Sequence, residues 1–167
     1  MLLFFKKVDL INDKIIQFFK YVASFLLVFV GLLIFADVLL RSAFNKPLIG
    51  VPEIIANLVV IIAFFQFAYA VSIESMLRSD FTIEKAGPKL RKFLDLLSCF
   101  LGLIFFILLA TSSYSSMVKS FISSEFEGHA SFRFPTLPLK GTIFLFSCLT
   151  AFTYLLLIIS KIFNLKK

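Results

Sequence analysis

Asp37 and Arg41 stand four residues apart, and Glu74 and Arg78 repeat that spacing. On an α-helix, residues i and i+4 share a face, so each couple can form an ion pair. Such a pair can brace one helix end or meet a partner chain. Glu53 directly follows Pro52. Pro suits a first helical turn, and a carboxylate there faces the unsatisfied N–H groups and positive dipole end of a helix. Glu53 can also reach back toward Arg41. A second polar group gathers in Glu125, Glu127, His129 and Arg133, among the aromatics Phe126, Phe132 and Phe134. A third is the hydroxyl patch Thr111, Ser112, Ser113, Ser115 and Ser116, whose small side chains suit close helix packing.

None of these groups assembles a catalyst. His129 is the one histidine, no HExxH spacing surrounds it, and no cysteine stands near it. Cys99 and Cys148 form no CxxC pair, so both read as buried free thiols and not as a metal or redox site. A nucleophile with its base, a paired acid and base, or a ligand cluster is missing. The expectation is therefore no catalytic residue, no metal and no cofactor on this chain.

Four stretches carry no Asp, Glu, Lys, Arg or His: Tyr21–Ala36, Ile54–Ile73, Leu96–Val118 and Gly141–Ser160. Of the 167 residues, 60% are hydrophobic, 24 are Phe, only 16% are charged, and mean hydropathy is +1.00. A helix rises ~1.5 Å per residue, so roughly 20 apolar residues cross a ~30 Å hydrocarbon core. Three runs reach that length, and Ile15–Phe19 with Val38–Leu40 extend the first. Lipid offers the backbone no hydrogen bonds, so each run must be helical. The expected fold is an all-α integral membrane protein of four antiparallel transmembrane helices in one membrane domain, 1–167, with spans near 17–41, 53–76, 93–118 and 139–161. Leu2–Phe19 places Phe4, Phe5, Val8, Ile11, Ile15, Phe18 and Phe19 at helical spacing, with Lys6, Lys7, Asp9, Asn12, Asp13 and Lys14 on much of the other face, which predicts an amphipathic interfacial helix leading into the first span. No small-residue cleavage site follows that apolar run, so it does not read as a cleavable signal.

Pro47, Gly50 and Pro52 break the chain between the first two spans, and so short a link predicts antiparallel neighbours. Ser79, Asp80 or Thr82 can cap a short helix in the second connection, and Gly87–Pro88 marks a restart. The third helix is expected from Pro88 to about Ser123, longer than the membrane is thick.

The basic residues sort by connection. Twelve lie in the N-terminal segment, the second connection and the C-terminus; Arg41, Lys46, Lys119, Arg133 and Lys140 lie in the first and third connections. The positive-inside rule then puts both termini in the cytoplasm. The formal net charge of +7 thus reads as topology-setting charge, not as a nucleic-acid surface.

The centre of every span is empty of charge. A lone ionised side chain there costs ~2.5–3.5 kcal/mol on insertion scales and marks ion or proton paths in transporters. Asn57 and Gln66 are the main polar groups within the second span, Pro is absent from all four runs, and Gly31, Gly102 and Gly141 are isolated. A midplane site built from broken helices is not legible. The chain reads as a scaffold or accessory subunit. A stand-alone small four-span carrier or channel is the alternative, and a membrane thiol-redox enzyme is disfavoured because both cysteines fall inside spans.

Several segments together resemble a known family. Asp37-Val-Leu-Leu-Arg41 ends the first span, and Pro47-Leu-Ile-Gly50-Val-Pro52-Glu53 opens the second. Arg78-Ser-Asp80-Phe-Thr-Ile and Pro88-Lys-Leu-Arg91 precede the third, and Phe134-Pro135-Thr-Leu-Pro138-Leu-Lys140 enters the fourth. From about Phe29 onward this order resembles the small DctQ-like membrane subunit of tripartite ATP-independent periplasmic (TRAP) transporters. The chain departs from the family in having no Trp before Glu53 and Asp80 where a His is frequent. The resemblance implies a bacterial inner-membrane protein that pairs with a large multi-span DctM-like permease. It also implies a periplasmic binding protein that delivers an organic acid, with uptake driven by sodium. The sodium and substrate sites would lie on the large, elevator-like subunit. Asp37, Arg41 and Glu53 would form partner contacts at the outer ends of the first two helices, and Glu125, Glu127, His129 and Arg133 would meet the binding protein.

Overall fold

The computed structural model describes residues 2–45, 50–73, 88–123, 126–127 and 134–162. Four helices account for nearly all of them: α1 Leu2–Phe44, α2 Val51–Ser72, α3 Pro88–Ser123 and α4 Leu137–Ile162. All four are long and apolar enough to cross a membrane. Between α3 and α4, β1 (Phe126–Glu127) pairs antiparallel with β2 (Phe134–Pro135), with Phe126 opposite Pro135.

The helix ends follow local chemistry. Asn45 takes a positive φ of 51° after α1, a left-handed stop that Asn tolerates better than most residues. Gly50, at φ 85°, is the N-cap of α2, and a side chain there would be strained. Its carbonyl accepts from the Ile54 N–H at 3.1 Å, while Pro52 occupies a position whose N–H would otherwise be orphaned. Thr136 precedes α4 and accepts from the Lys140 N–H at 3.0 Å. The expected limits of α3, Pro88 to Ser123, are those observed.

Leu2–Phe19 is helical, and no break separates it from the first span; it is the start of one 43-residue helix. That helix is ~64 Å long, about twice the hydrocarbon thickness. Its inward side matches the apolar side of the sequence pattern only in part: Phe19 packs inward on Phe65 and Phe146, but Asn12 and Ile16 are buried while Ile11, Ile15 and Phe18 face outward. The reason is a polar partner on α4, described below.

Helix α1 lies on α2, α2 on α4, and α4 on α3, so α2 and α4 form the middle of the bundle. The outer helices bury narrow stripes at heptad spacing: Ile16, Ala23, Val30 and Asp37 on α1, and Cys99, Phe106 and Ser120 on α3. A seven-residue repeat keeps one seam against a neighbour, as in left-handed helix pairs. The inner helix α4 buries a broad face that includes Phe146, Ser147, Thr150, Ala151, Tyr154 and Leu157.

Two aromatic clusters join three helices each. Phe19 (α1), Phe65 (α2) and Phe146 (α4) stack with ring centroids 4.3–5.0 Å apart. Phe67 (α2), Phe106 (α3) and Tyr154 (α4) form the second, at 6.1 and 5.9 Å. Gly102 is required here, because a Cβ on it would come within 2.5 Å of the Tyr154 ring. Gly31 has open space. Cys99 is buried as expected, but Cys148 is exposed, since it lies on the side of α4 away from the Ser147–Ala151–Tyr154 face.

Gly102→Leu should force α3 away from α4 and lower stability by about 1–3 kcal/mol, the usual cost of overpacking. Gly31→Ala should leave it within ~0.5 kcal/mol. Thermal unfolding of the two variants in one detergent compares them directly.

Candidate functional site

The link between α1 and α2 and the hairpin between α3 and α4 lie at the same end of the bundle, because α2 and α4 run in the same direction. Phe65 packs on Phe146, and farther along both chains Val71 joins the cluster of Tyr154 and Leu157. Among the described residues, Asp37, Arg41, Glu53 and Glu127 belong to this end.

Asp37 and Arg41 form the expected pair, with Arg41 Nη2 donating to Asp37 Oδ2 at 2.7 Å. Their environments differ. The Arg41 side chain is 58% exposed and that of Asp37 only 11%, because Asp37 continues the heptad stripe that faces the bundle. The guanidinium therefore gives a buried carboxylate its hydrogen-bond partner at a helix end. Glu53 lies in the first turn of α2 and makes no ion pair with Arg41. Asp37 wins that contact because it is fixed one turn away on the same helix, whereas Glu53 lies across a loop; helix-end electrostatics account for Glu53.

On the other two helices, Lys140 Nζ donates to the buried hydroxyl of Ser120, tying the end of α3 to the start of α4. Glu127 is placed in β1 and therefore in the hairpin. Glu125, His129 and Arg133 lie outside the described residues, as do Glu74 and Arg78 and the expected caps at Ser79, Asp80 and Thr82. The hydroxyl patch only partly serves packing. Thr111, Ser112 and Ser115 are exposed, and Thr111 and Ser115 return their protons to the Leu108 and Ser112 carbonyls at 2.9 Å. Self-bonded hydroxyls of this kind tolerate an apolar exterior.

At the opposite end, two contacts missed in the sequence hold α1 in place. Asn12 Nδ2 donates to Thr153 Oγ1 at 3.2 Å, and that hydroxyl donates onward to the Leu149 carbonyl at 2.9 Å. Lys20 Nζ donates to the Tyr69 hydroxyl at 3.0 Å and sits 4.3 Å from the Tyr69 ring centroid. The position of Asn12, four residues before Ile16 on the heptad stripe, was the available signal.

Between these ends the bundle interior is apolar. Ser147 and Thr150 donate to the Ile143 and Phe146 carbonyls of their own helix at 2.6 and 2.7 Å. No buried polar side-chain atom lacks a partner, and no group of three metal-ligating side chains occurs, among the described residues. The ion pair and the Lys140–Ser120 bond are thus at helix ends, and the middle is mostly packed rings and methyl groups, with Asn57 of α2 and the hydroxyls of Ser147 and Thr150 buried among them.

Four such helices define a multi-pass helical membrane protein. Within that class, residues 30–164 match the family of tripartite ATP-independent periplasmic transporters, DctQ component, and the chain belongs to that family. It is a small membrane component of a TRAP transporter, and the family is one of transporter components, not of enzymes. No curated protein matches the chain.

Bonds of the Asn12–Thr153 type in membranes contribute ~0.6 kcal/mol on average, with ~1.7 as the measured maximum. A double-mutant cycle of Asn12→Leu and Thr153→Val, read by unfolding in detergent, should return a coupling in that range. At the other end, Arg41→Ala should destabilise more than Arg41→Ala combined with Asp37→Asn, because the single change leaves a buried carboxylate without its guanidinium.

Proposed function

We propose that this chain is the non-moving small subunit of a sodium-driven TRAP importer for an organic acid of carboxylate or sulfonate type. Its partners are a large DctM-like permease and a periplasmic substrate-binding protein. It resides in the bacterial inner membrane with both termini in the cytoplasm, the orientation supported by the sorting of its basic residues. Substrate and sodium sites belong to the large subunit. The observation that carries this reading is the absence of charge from four runs of membrane length, together with the finding that no fully buried polar side-chain atom among the described residues lacks a partner. Such a bundle can present a rigid apolar wall to a moving neighbour, and it offers an ion no ligand set of its own.

Interior packing also sets the mechanical role. A subunit that braces a transporter must hold its own helices while the neighbour shifts, and both aromatic clusters tie three helices together. The outer ends of α1 and α2, with Asp37, Arg41 and Glu53, are proposed as contacts with the large subunit. Glu125, Glu127, His129 and Arg133 in the α3–α4 connection are proposed as contacts with the binding protein.

Two measurements test this. Proteoliposomes containing this chain alone should show no solute-specific flux, and flux should require the large permease and the binding protein together; flux from the chain alone would favour a stand-alone carrier. Removing the pair, Asp37→Ala with Arg41→Ala, should reduce co-purification with the large permease severalfold and leave substrate preference unchanged. Normal yield of the complex would count against the proposed contact.

A further inference from the structure

Helix α2 carries two amide side chains, and they face in opposite directions. Nine residues separate Asn57 from Gln66, which is two and a half helical turns. Asn57 is buried on the side shared with Ile62, Phe65 and Val71, where α2 meets α1 and α4. Gln66 lies on the other side. It is half-buried and makes no hydrogen bond among the described residues.

Its depth makes that lack consequential. Gln66 stands seven residues before Ile73, where the charge-free run of α2 ends, or ~10 Å from that end along the axis. A Gln side chain is too short to cover that rise to water. Hydrocarbon therefore closes over whatever part of the amide the bundle leaves open, and acyl chains offer it neither donor nor acceptor. Ser147, Thr150 and Asn12 find their partners within the chain. Gln66 does not, so its partner must come from another polypeptide.

The residues around it suit a helix. Ala56, Val59, Ala63, Gln66, Ala70 and Ile73 alternate three and four residues apart, the spacing of a heptad seam. None of the six is buried: Val59 is 49% and Ile73 53% exposed, Ala56 is exposed, and the rest are half-buried. Alanine stands at every seventh position. Small side chains let two helix backbones approach closely in lipid, and a polar group between them hydrogen-bonds across. One amide in an otherwise apolar seam also fixes the register of the helix that docks there.

We infer that Gln66 and the Ala56–Ala63–Ala70 seam of α2 dock a transmembrane helix of the large permease, with the Gln66 amide hydrogen-bonded to that helix. This rests on the transport reading and gives it a place on the chain. The family is one of components of a tripartite transporter, so a membrane partner is expected. The seam also opens beside Pro52 and Glu53, at the end of α2 already proposed as a contact. A register-fixing bond suits a part of the large subunit that does not slide past this one.

The test is co-purification of the full-length chain with the large permease from membranes in which both are expressed. Thermal unfolding of each variant chain alone, in one detergent, is followed in parallel. Gln66→Leu should reduce co-purification at least threefold, the scale of one interhelical hydrogen bond in a membrane. The variant chain alone should unfold at the same temperature as wild type or higher, because the amide has no partner within the chain. Ala56→Leu, which adds bulk to the exposed end of the seam, should also weaken the complex without lowering stability. Equal recovery of the complex with wild type and Gln66→Leu overturns the docking seam and leaves the transport reading in place. Failure of the wild type itself to bring down the permease overturns both. A second copy of the chain as the true occupant would appear as a dimer of the wild type alone that Gln66→Leu converts to monomer in native mass spectrometry, and this too overturns the proposal.

Discussion

Lipid removes the force that folds soluble proteins. Acyl chains are as apolar as leucine, so helices gain little from hiding apolar side chains against each other, and association must come from close packing and a few hydrogen bonds. In this bundle the packing is carried by aromatic rings. Phe19, Phe65 and Phe146 meet within 5.0 Å of one another, and Phe106 with Tyr154 fills the space between α2, α3 and α4. Edge-on and tilted rings interlock with directional preference, which aliphatic side chains in lipid lack. The described Phe residues thus serve two solvents, one set locking helices together and the other facing outward.

The same constraint sorts the polar groups. An unsatisfied hydrogen-bonding group in hydrocarbon costs several kcal/mol, so interior hydroxyls return to their own helix or bridge two helices, as Thr153 does in both directions. The charged side chains are satisfied in different ways: Asp37 and Arg41 pair within α1, Lys140 on Ser120 joins the start of α4 to the end of α3, and Lys20 on Tyr69 joins α1 to α2. The result is a body joined between helices near both faces and mostly apolar between them. That arrangement suits a component that holds a translocating neighbour in place.

The length mismatch among helices has its own consequence. At ~1.5 Å per residue, α2 matches a bilayer closely, whereas α1 and α3 exceed it by many residues. A helix that is too long must tilt or project, and its surplus must remain packed to stay helical. The Asn12–Thr153 bond does this for α1, by committing the surplus to the side of α4 instead of to solvent.

Much of this was legible in the residues. Charge-free runs of membrane length dictate four helices, since lipid permits no other backbone. Pro88 and Ser123 bounded α3 because Pro favours a first turn, and i,i+4 spacing settled Asp37–Arg41 because helix geometry alone brings those atoms together. Which polar residue faces which helix was decided only by the tertiary structure. Period and hydropathy could not show that Asn12 points inward while Ile11 and Phe18 face out, that Glu53 leaves Arg41 to Asp37, or that Cys148 and Thr111 look outward. In a uniformly apolar helix every face can meet lipid, so rotation about the axis is chosen by the shapes and hydrogen-bond partners of neighbouring helices, and those neighbours are distant in sequence.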